Sequence, residues 1–102
     1  MAEFLVRIEI DLPFALGPAE RAALQAAELD RGRELAALRA IQRIWRVPGR
    51  HANVGIRRAA DATELHSHLA SLPMFPYMDV RVTPLATHDL EVSLEWEGSS
   101  PA

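Results

Sequence analysis

The alternation of apolar and polar residues near the start of the chain predicts a β-strand with one buried face. Across residues 4–11, one side carries Phe4, Val6, Ile8 and Ile10, and the residues between them are mostly polar. A period of two is that of an extended strand, whose successive side chains point to opposite faces. We therefore expect this strand to lay one face against a core.

Two segments with helix-forming composition follow. Residues 18–39 are rich in Ala, Leu, Glu and Arg, and Pro18 suits the first turn of a helix. A second helix is predicted after Asp61, because Asp61 with Glu64 three residues later forms a capping box. This second helix is expected to end by Pro73.

Further strands are predicted by alternation at residues 41–47, 52–58, 78–83 and 90–96. A turn at 48–51 joins the first two as a hairpin, and Pro84 is expected to end the third. The order β-α-β-β-α-β plus a C-terminal strand predicts an α+β protein with the ferredoxin-like split βαβ sandwich. We expect one domain over residues 1–97 and a disordered tail over 98–102.

The predicted sheet has apolar residues on both faces. In the second strand, Trp45 and Val47 alternate with Ile44, so neither face of this strand is purely polar. Two helices can cover only one face, and an apolar second face needs its own cover. A partner subunit is the simplest cover, so we expect a dimer or a larger homo-oligomer.

Composition narrows the class of protein. The chain has 102 residues, enough for one domain, and a net charge of −3, which argues against a nucleic-acid surface. It has no cysteine, which excludes disulfides and thiol catalysis and fits a cytoplasmic protein. No apolar run is long enough to cross a membrane, and the N-terminus lacks the pattern of a signal peptide.

The first helix carries charge where its apolar stripe should continue. Leu24, Leu35 and Leu38 lie at helical spacing, and the missing positions of that stripe are Glu28 and Arg31. One interpretation is an ion pair between Glu28 and Arg31 at the edge of the core. The other is a general base that points into a cavity between helix and sheet, with its pKa raised by partial burial.

The hairpin turn offers further candidates. His51 is a possible proton carrier or hydrogen-bond donor, and Arg46 or Arg50 could hold a substrate carboxylate. The alternative for the turn residues is simple exposure to water. His66 and His68 lie two apart on the second helix and do not share a face, so we predict no metal site.

Two motifs resemble those of the muconolactone delta-isomerase family. The segment LPMFPYMDV at residues 72–80 matches that family's signature after its second helix, and IWRVPGRHAN at residues 44–53 matches the signature across its central hairpin. Glu28 lies 17 residues before Trp45, as in the family. The matching positions are Leu72, Pro73, Phe75, Pro76, Tyr77, Met78 and Asp79, then Trp45, Arg46, Gly49, Ala52 and Asn53. The resemblance covers residues 3–88.

This resemblance implies a cofactor-free isomerase of aromatic catabolism, on the β-ketoadipate route, with a ferredoxin-like fold. It also implies a ring-shaped homo-oligomer built from dimers, so that the expected assembly is a dimer or a decamer. The expected substrate is a small lactone, muconolactone, which is converted to 3-oxoadipate enol-lactone by a proton shift. A base takes the proton from the ring carbon that bears the carboxymethyl arm, and the proton returns beside the lactone carbonyl.

The resemblance also implies roles for the candidate residues. Glu28 falls where the family has its helix-one carboxylate and is expected to be the base. His51 or Asn53 would donate to the lactone oxyanion, and Arg46 or Arg50 would bind the free carboxylate. A stiff apolar wall for the ring, or a subunit interface, is expected from Phe75 and Tyr77.

Some positions depart from the family pattern. His51 stands where many members have Tyr, and Arg39 and Ile41 stand where Gly and Trp are common. A chlorinated lactone, dehalogenated after the same proton abstraction, is therefore an alternative substrate. Two other functions remain open because a fold alone does not determine activity: a non-catalytic, oligomerising ligand-binding relative and a cofactor-free monooxygenase.

Overall fold

Residues 1–91 of the chain are described by a computed structural model, and they form an antiparallel sheet with two helices. The elements are β1 (Ala2–Ile10), α1 (Pro18–Ala37), β2 (Ile41–Arg46), β3 (Ala52–Ala59), α2 (Ala62–Ala70), a 3-10 turn (Phe75–Tyr77) and β4 (Met78–Leu85). The strands are ordered β2-β3-β1-β4, and every neighbouring pair is antiparallel. This confirms the predicted α+β, ferredoxin-like fold.

The core lies between the sheet and the helices. Phe4, Val6 and Ile8 of β1 are buried there, as their alternation predicted. The helices contribute Leu35 from α1 and Leu65 from α2, both buried. Because β1 is a central strand, its apolar face receives side chains from both helices.

Strand β3 places its more polar set of residues on the helix-covered face. In the antiparallel register, Arg57 lies opposite Phe4 and Asn53 lies opposite Ile8, so these pairs share one face of the sheet. Val54, one residue further along, therefore belongs to the opposite face. The fold thus brings an amide and a guanidinium beneath the helices.

The prediction that Pro84 ends the strand at residues 78–83 is wrong. Strand β4 continues to Leu85, and Pro84 lies opposite Phe4 of β1. Proline is tolerated here because β4 is an edge strand, where one missing N–H donor need not interrupt the sheet. Of the strand predicted at 90–96, Leu90 lies in a turn and the Glu91 N–H donates to the His88 carbonyl. Residues 92–96, with the predicted tail, lie outside the described residues.

Each helix has a recognisable cap, α2 at its N-terminus and α1 at its C-terminus. Asp61 accepts a 2.8 Å hydrogen bond from the Glu64 N–H, as the capping box predicted, and the Glu64 carboxylate accepts from the Ala60 N–H. At the end of α1, Arg39 has a positive φ of 62°. Its N–H donates to the Ala36 carbonyl while the next N–H, that of residue 40, donates to the carbonyl of residue 35, which is a Schellman motif.

The second face of the sheet has no helix over it among residues 1–91. Leu5, Val54 and Ile56 are half-buried on this face, and Trp45 is 44% exposed. The Arg43 guanidinium stacks 4.8 Å from the centre of the Trp45 ring. We call this surface the open sheet face.

Within the same described residues, no helix is both long enough and apolar enough to span a membrane.

Candidate active site

Helix α1 directs Glu28 toward the sheet. Leu24, Glu28, Arg31 and Leu35 form the predicted stripe, and all four are half-buried or buried. The stripe fails only at Leu38, which is 69% exposed because the helix has already ended at Ala37. Glu28 therefore occupies the inward side of the helix, about two turns before the fully buried Leu35.

The Glu28 carboxylate is held by the loop that follows α2. Its Oε1 accepts a 2.9 Å hydrogen bond from the backbone N–H of Met74, whose side chain is 2% exposed. The buried Leu72 and Met74 anchor this loop in the core. The rigid, apolar segment LPMFPYMDV thus fixes a backbone donor against the acid.

The alternative of a Glu28–Arg31 ion pair is wrong. The Arg31 Nε donates to the Ser71 hydroxyl at 2.9 Å, and its Nη1 lies 3.6 Å from a carboxylate oxygen of Glu34. The guanidinium therefore reaches past Glu28 to the end of α2 and to the next turn of its own helix. The Glu28 carboxylate has no salt bridge with any residue of the described part of the chain.

Burial raises the pKa of the Glu28 carboxyl above its ordinary value. The Met74 N–H and the positive charge of Arg57 act in the opposite direction and lower that pKa in part. A carboxylate in this position can accept a proton more readily than an exposed one. The direction of this shift is the one that favours a general base.

The β2–β3 hairpin supplies the polar groups that face Glu28. Arg46 lies opposite Asn53 and Ile44 lies opposite Gly55, so Arg46, Ile44 and Asn53 share the helix-covered face. The His51 carbonyl accepts a 2.9 Å hydrogen bond from the Ile10 N–H, which ties the hairpin tip to the end of β1.

These side chains meet in one cleft of about 390 Å³ between α1 and the hairpin. Its lining consists of Ile10, Gln25, Glu28, Leu29, Gly32, Ile44, Arg46, His51, Asn53 and Met74. Four residues proposed from the sequence are thereby brought together: an acid, a cation, an imidazole and an amide. They can accept a proton, bind an anionic group and donate hydrogen bonds to an oxygen.

Three proposed residues lie elsewhere in the described chain. Arg50 bonds through its Nε to the Glu9 carboxylate at 2.7 Å, away from the cleft. Phe75 packs edge-on against His66 of α2, with ring centres 5.9 Å apart. Tyr77 lies in the 3-10 turn, where its carbonyl accepts from Asp11. Neither aromatic ring lines the cleft, so their roles stay predictions.

Sequence reasoning missed several residues of the cleft. Gln25, Leu29 and Gly32 lie three or four residues from Glu28 or one beside it, so helical periodicity could have found them. Ile44 shares a strand face with Arg46, so the period of two along the strand could also have predicted its place in the cleft. The Met74 backbone donor had no such signal, because its position depends on how the loop packs on α1.

The fold and the cleft together define a small ferredoxin-like domain with a candidate acid–base site. Within residues 1–91, no group of three or more His, Asp or Glu side chains is arranged to bind a metal ion. Residues 2–91 match the family model described as "Muconolactone delta-isomerase". The chain belongs to the muconolactone delta-isomerase family.

Similar proteins cover nearly the whole chain. The "Muconolactone Delta-isomerase" of Rhodococcus opacus is 37% identical over 90% of this chain and 99% of its own. That of Cupriavidus pinatubonensis is 38% identical over 83% and 92%. A crystal structure of muconolactone isomerase superposes with a TM-score of 0.82 at 30% identity, covering 91% of this chain and 97% of that one. These matches confirm the predicted family and the predicted isomerase function.

Proposed function

We propose that this protein converts muconolactone to 3-oxoadipate enol-lactone without a cofactor, using Glu28 as the base. The observation that carries this proposal is the cleft, where a half-buried carboxylate faces a cation and two hydrogen-bond donors. The same-named activity of the relatives supports the choice of substrate.

The reaction is a 1,3-shift of one proton. The Glu28 carboxylate removes the proton from the ring carbon that carries the carboxymethyl arm, and the electrons of that C–H bond move into a dienolate. The resulting Glu28 carboxylic acid then gives the proton to the carbon next to the lactone carbonyl. One base can serve both carbons because they lie two bonds apart in the same ring, and the raised pKa of Glu28 suits both transfers.

The other polar groups of the cleft would stabilise the negative charges of the substrate and of the dienolate. The dienolate concentrates negative charge on the lactone carbonyl oxygen, where His51 or Asn53 would donate a hydrogen bond. The free carboxylate of the substrate would pair with the Arg46 guanidinium, which is suited to bidentate binding of carboxylates. Ile44 and Leu29 supply apolar surface for the ring.

The test is proton exchange at carbon. Wild-type protein incubated with muconolactone in D2O is expected to isomerise it with deuterium uptake, measured by proton NMR. Glu28→Gln should lower the rate by about 10²- to 10⁴-fold, because it removes general base catalysis. Glu20→Gln, in the exposed first turn of the same helix, is the control and should keep the wild-type rate. Full activity in Glu28→Gln would refute this mechanism.

The same D2O experiment, repeated with other lactones and joined by an oxygen-uptake assay, separates the alternative functions. Exchange without net isomerisation, or turnover only with a chlorinated lactone, would assign a different substrate to the same base. Absence of both exchange and turnover with any lactone would favour a non-catalytic ligand-binding relative. Oxygen consumption with a quinol would be the result expected of a monooxygenase.

We propose further that the protein works as a homo-oligomer in the cytoplasm. The open sheet face supports the first part, because half-buried apolar side chains there have no cover within the described part of the chain. Two copies meeting through this face would enclose Trp45. The absence of cysteine from the sequence is consistent with a reducing compartment.

A further inference from the structure

Arg57 is a buried charge that the proposed reaction does not use. It is 4% exposed, and its Nη1 is buried with no hydrogen-bond partner among the described residues. Its side chain lies on the helix-covered face of β3, opposite Phe4 on one side and Ile41 on the other. An arginine keeps its charge even when buried, so a guanidinium in these apolar surroundings needs a compensating negative charge.

Glu28 is a carboxylate that can supply this charge. It lines the cleft together with Ile44, which lies opposite Gly55, the neighbour of Arg57 on this face of β3. The carboxylate is half-buried on the same side of the sheet, and burial lowers the pKa of Arg57 while the charge of Glu28 raises it again. The reciprocal effect acts on Glu28, where Arg57 opposes the effect of burial. No direct salt bridge joins them within residues 1–91, so their attraction acts over a distance, without a hydrogen-bonded contact.

The other charged groups around Glu28 have different positions. On α1, Arg31 is engaged by Ser71 and Glu34. From the hairpin, Arg46 and His51 line the open cleft, where solvent or a substrate can screen them. Of these charged groups only Arg57 is buried, and it does not line the cleft.

We propose that Arg57 is a positioning residue for Glu28, a buried counter-ion that holds the carboxylate in its ionised, proton-accepting form. This inference rests on the proposed role of Glu28 as base. Burial alone would favour the protonated acid, which cannot accept a proton. Arg57 offsets that preference, and it is left without a counter-charge whenever Glu28 holds a proton, which favours returning the proton to the substrate.

The test compares neutral and charged replacements of Arg57 in the full-length protein. Glu28 is followed by carbon-13 NMR of labelled carboxyl groups over a pH titration, with its resonance assigned by its absence from Glu28→Gln. Arg57→Met and Arg57→Gln should both move the Glu28 midpoint to higher pH. Arg57→Lys should leave it near the wild-type midpoint, because the positive charge is kept.

Arg31→Met is the matched control, since it removes an arginine one turn from Glu28 whose charge is used elsewhere. Its Glu28 midpoint should equal that of wild type. In the neutral Arg57 variants the acid limb of kcat/KM should follow the midpoint, so that activity at the acidic end falls roughly 3- to 10-fold while the plateau changes less.

An unmoved Glu28 midpoint in both neutral variants would overturn the inference. An equal movement in Arg57→Lys would also overturn it, because a loss of packing rather than of charge would then be the cause. The titration needs no substrate. A shifted midpoint in protein that fails to turn over muconolactone would refute the proposed function and leave the pairing of Arg57 with Glu28 intact.

Discussion

At the scale of single residues, two arginines of the hairpin differ in their surroundings. Arg46 lies on the helix-covered face of β2 and lines the cleft, whereas Arg50 lies in the turn and pairs with Glu9. The sequence restricted the carboxylate-binding candidates to these two. It could not separate them, because the side to which a turn residue points depends on the path of the turn around Gly49, whose φ is +78°.

Replacing the two arginines should therefore have different effects. Arg46→Met is expected to raise KM for muconolactone by about 10- to 100-fold, because a charge-assisted hydrogen bond to the substrate carboxylate is lost. Arg50→Met, the control from the same hairpin, should leave KM within about twofold. Steady-state kinetics measure both, and a larger loss in Arg50→Met than in Arg46→Met would contradict the assignment of Arg46.

At the scale of elements, helix α1 ends with a residue that does not suit its backbone. Arg39 occupies the left-handed position of the Schellman motif with φ of 62°, where the absence of Cβ makes glycine the preferred residue. The sequence comparison with the family had already marked position 39 as unusual. The structure supplies the physical reason that glycine is favoured there.

Arg39→Gly is expected to increase the free energy of unfolding by about 1 kcal/mol, since it relieves the strain of a left-handed side-chain-bearing residue. Arg33→Gly, at an exposed position within α1, should lower it by about the same amount. Chemical denaturation followed by circular dichroism measures both. Destabilisation by Arg39→Gly would show that the arginine side chain contributes more than its backbone costs.

Periodicity predicted most of the elements, because each depends on a local pattern of apolar residues. The strands around Phe4 and Val54 and the helix around Glu28 were found in this way. The end of β4 was not, because tolerance of Pro84 depends on β4 being an edge strand, and strand order is set by long-range packing. The hydrogen bond from the Met74 N–H to the Glu28 carboxylate could not be predicted from the sequence either, because the two residues are 46 positions apart in the chain.

At the scale of the whole molecule, the open sheet face is an apolar surface that no helix of the described residues covers. Its Trp45 is a large aromatic side chain in partial contact with water, and it lies beside half-buried Val54 and Ile56. Aromatic residues of this kind are enriched where subunits meet. The cleft lies on the opposite side of the same hairpin, so the proposed interface and the proposed catalytic site occupy separate faces.

Trp45→Glu should therefore weaken the assembly. Sedimentation velocity of the wild type is expected to show an oligomer, and the variant should sediment as a smaller species at the same concentration, because a buried carboxylate at the interface is costly. Leu38→Glu, at the exposed apolar residue that directly follows α1, is the control and should not change the size of the assembly. A monomeric wild type would contradict the proposed interface.

Pro84 has a consequence for how such an assembly can grow. A strand from another molecule could add to β4 only by hydrogen bonding along its free edge, which is the step that starts fibres and aggregates. The proline nitrogen carries no hydrogen, and the nearby side chains Asp79 and Arg81 are charged and exposed. Open-ended polymerisation along this edge is thereby disfavoured, so that association through sheet faces can produce a closed particle of fixed size.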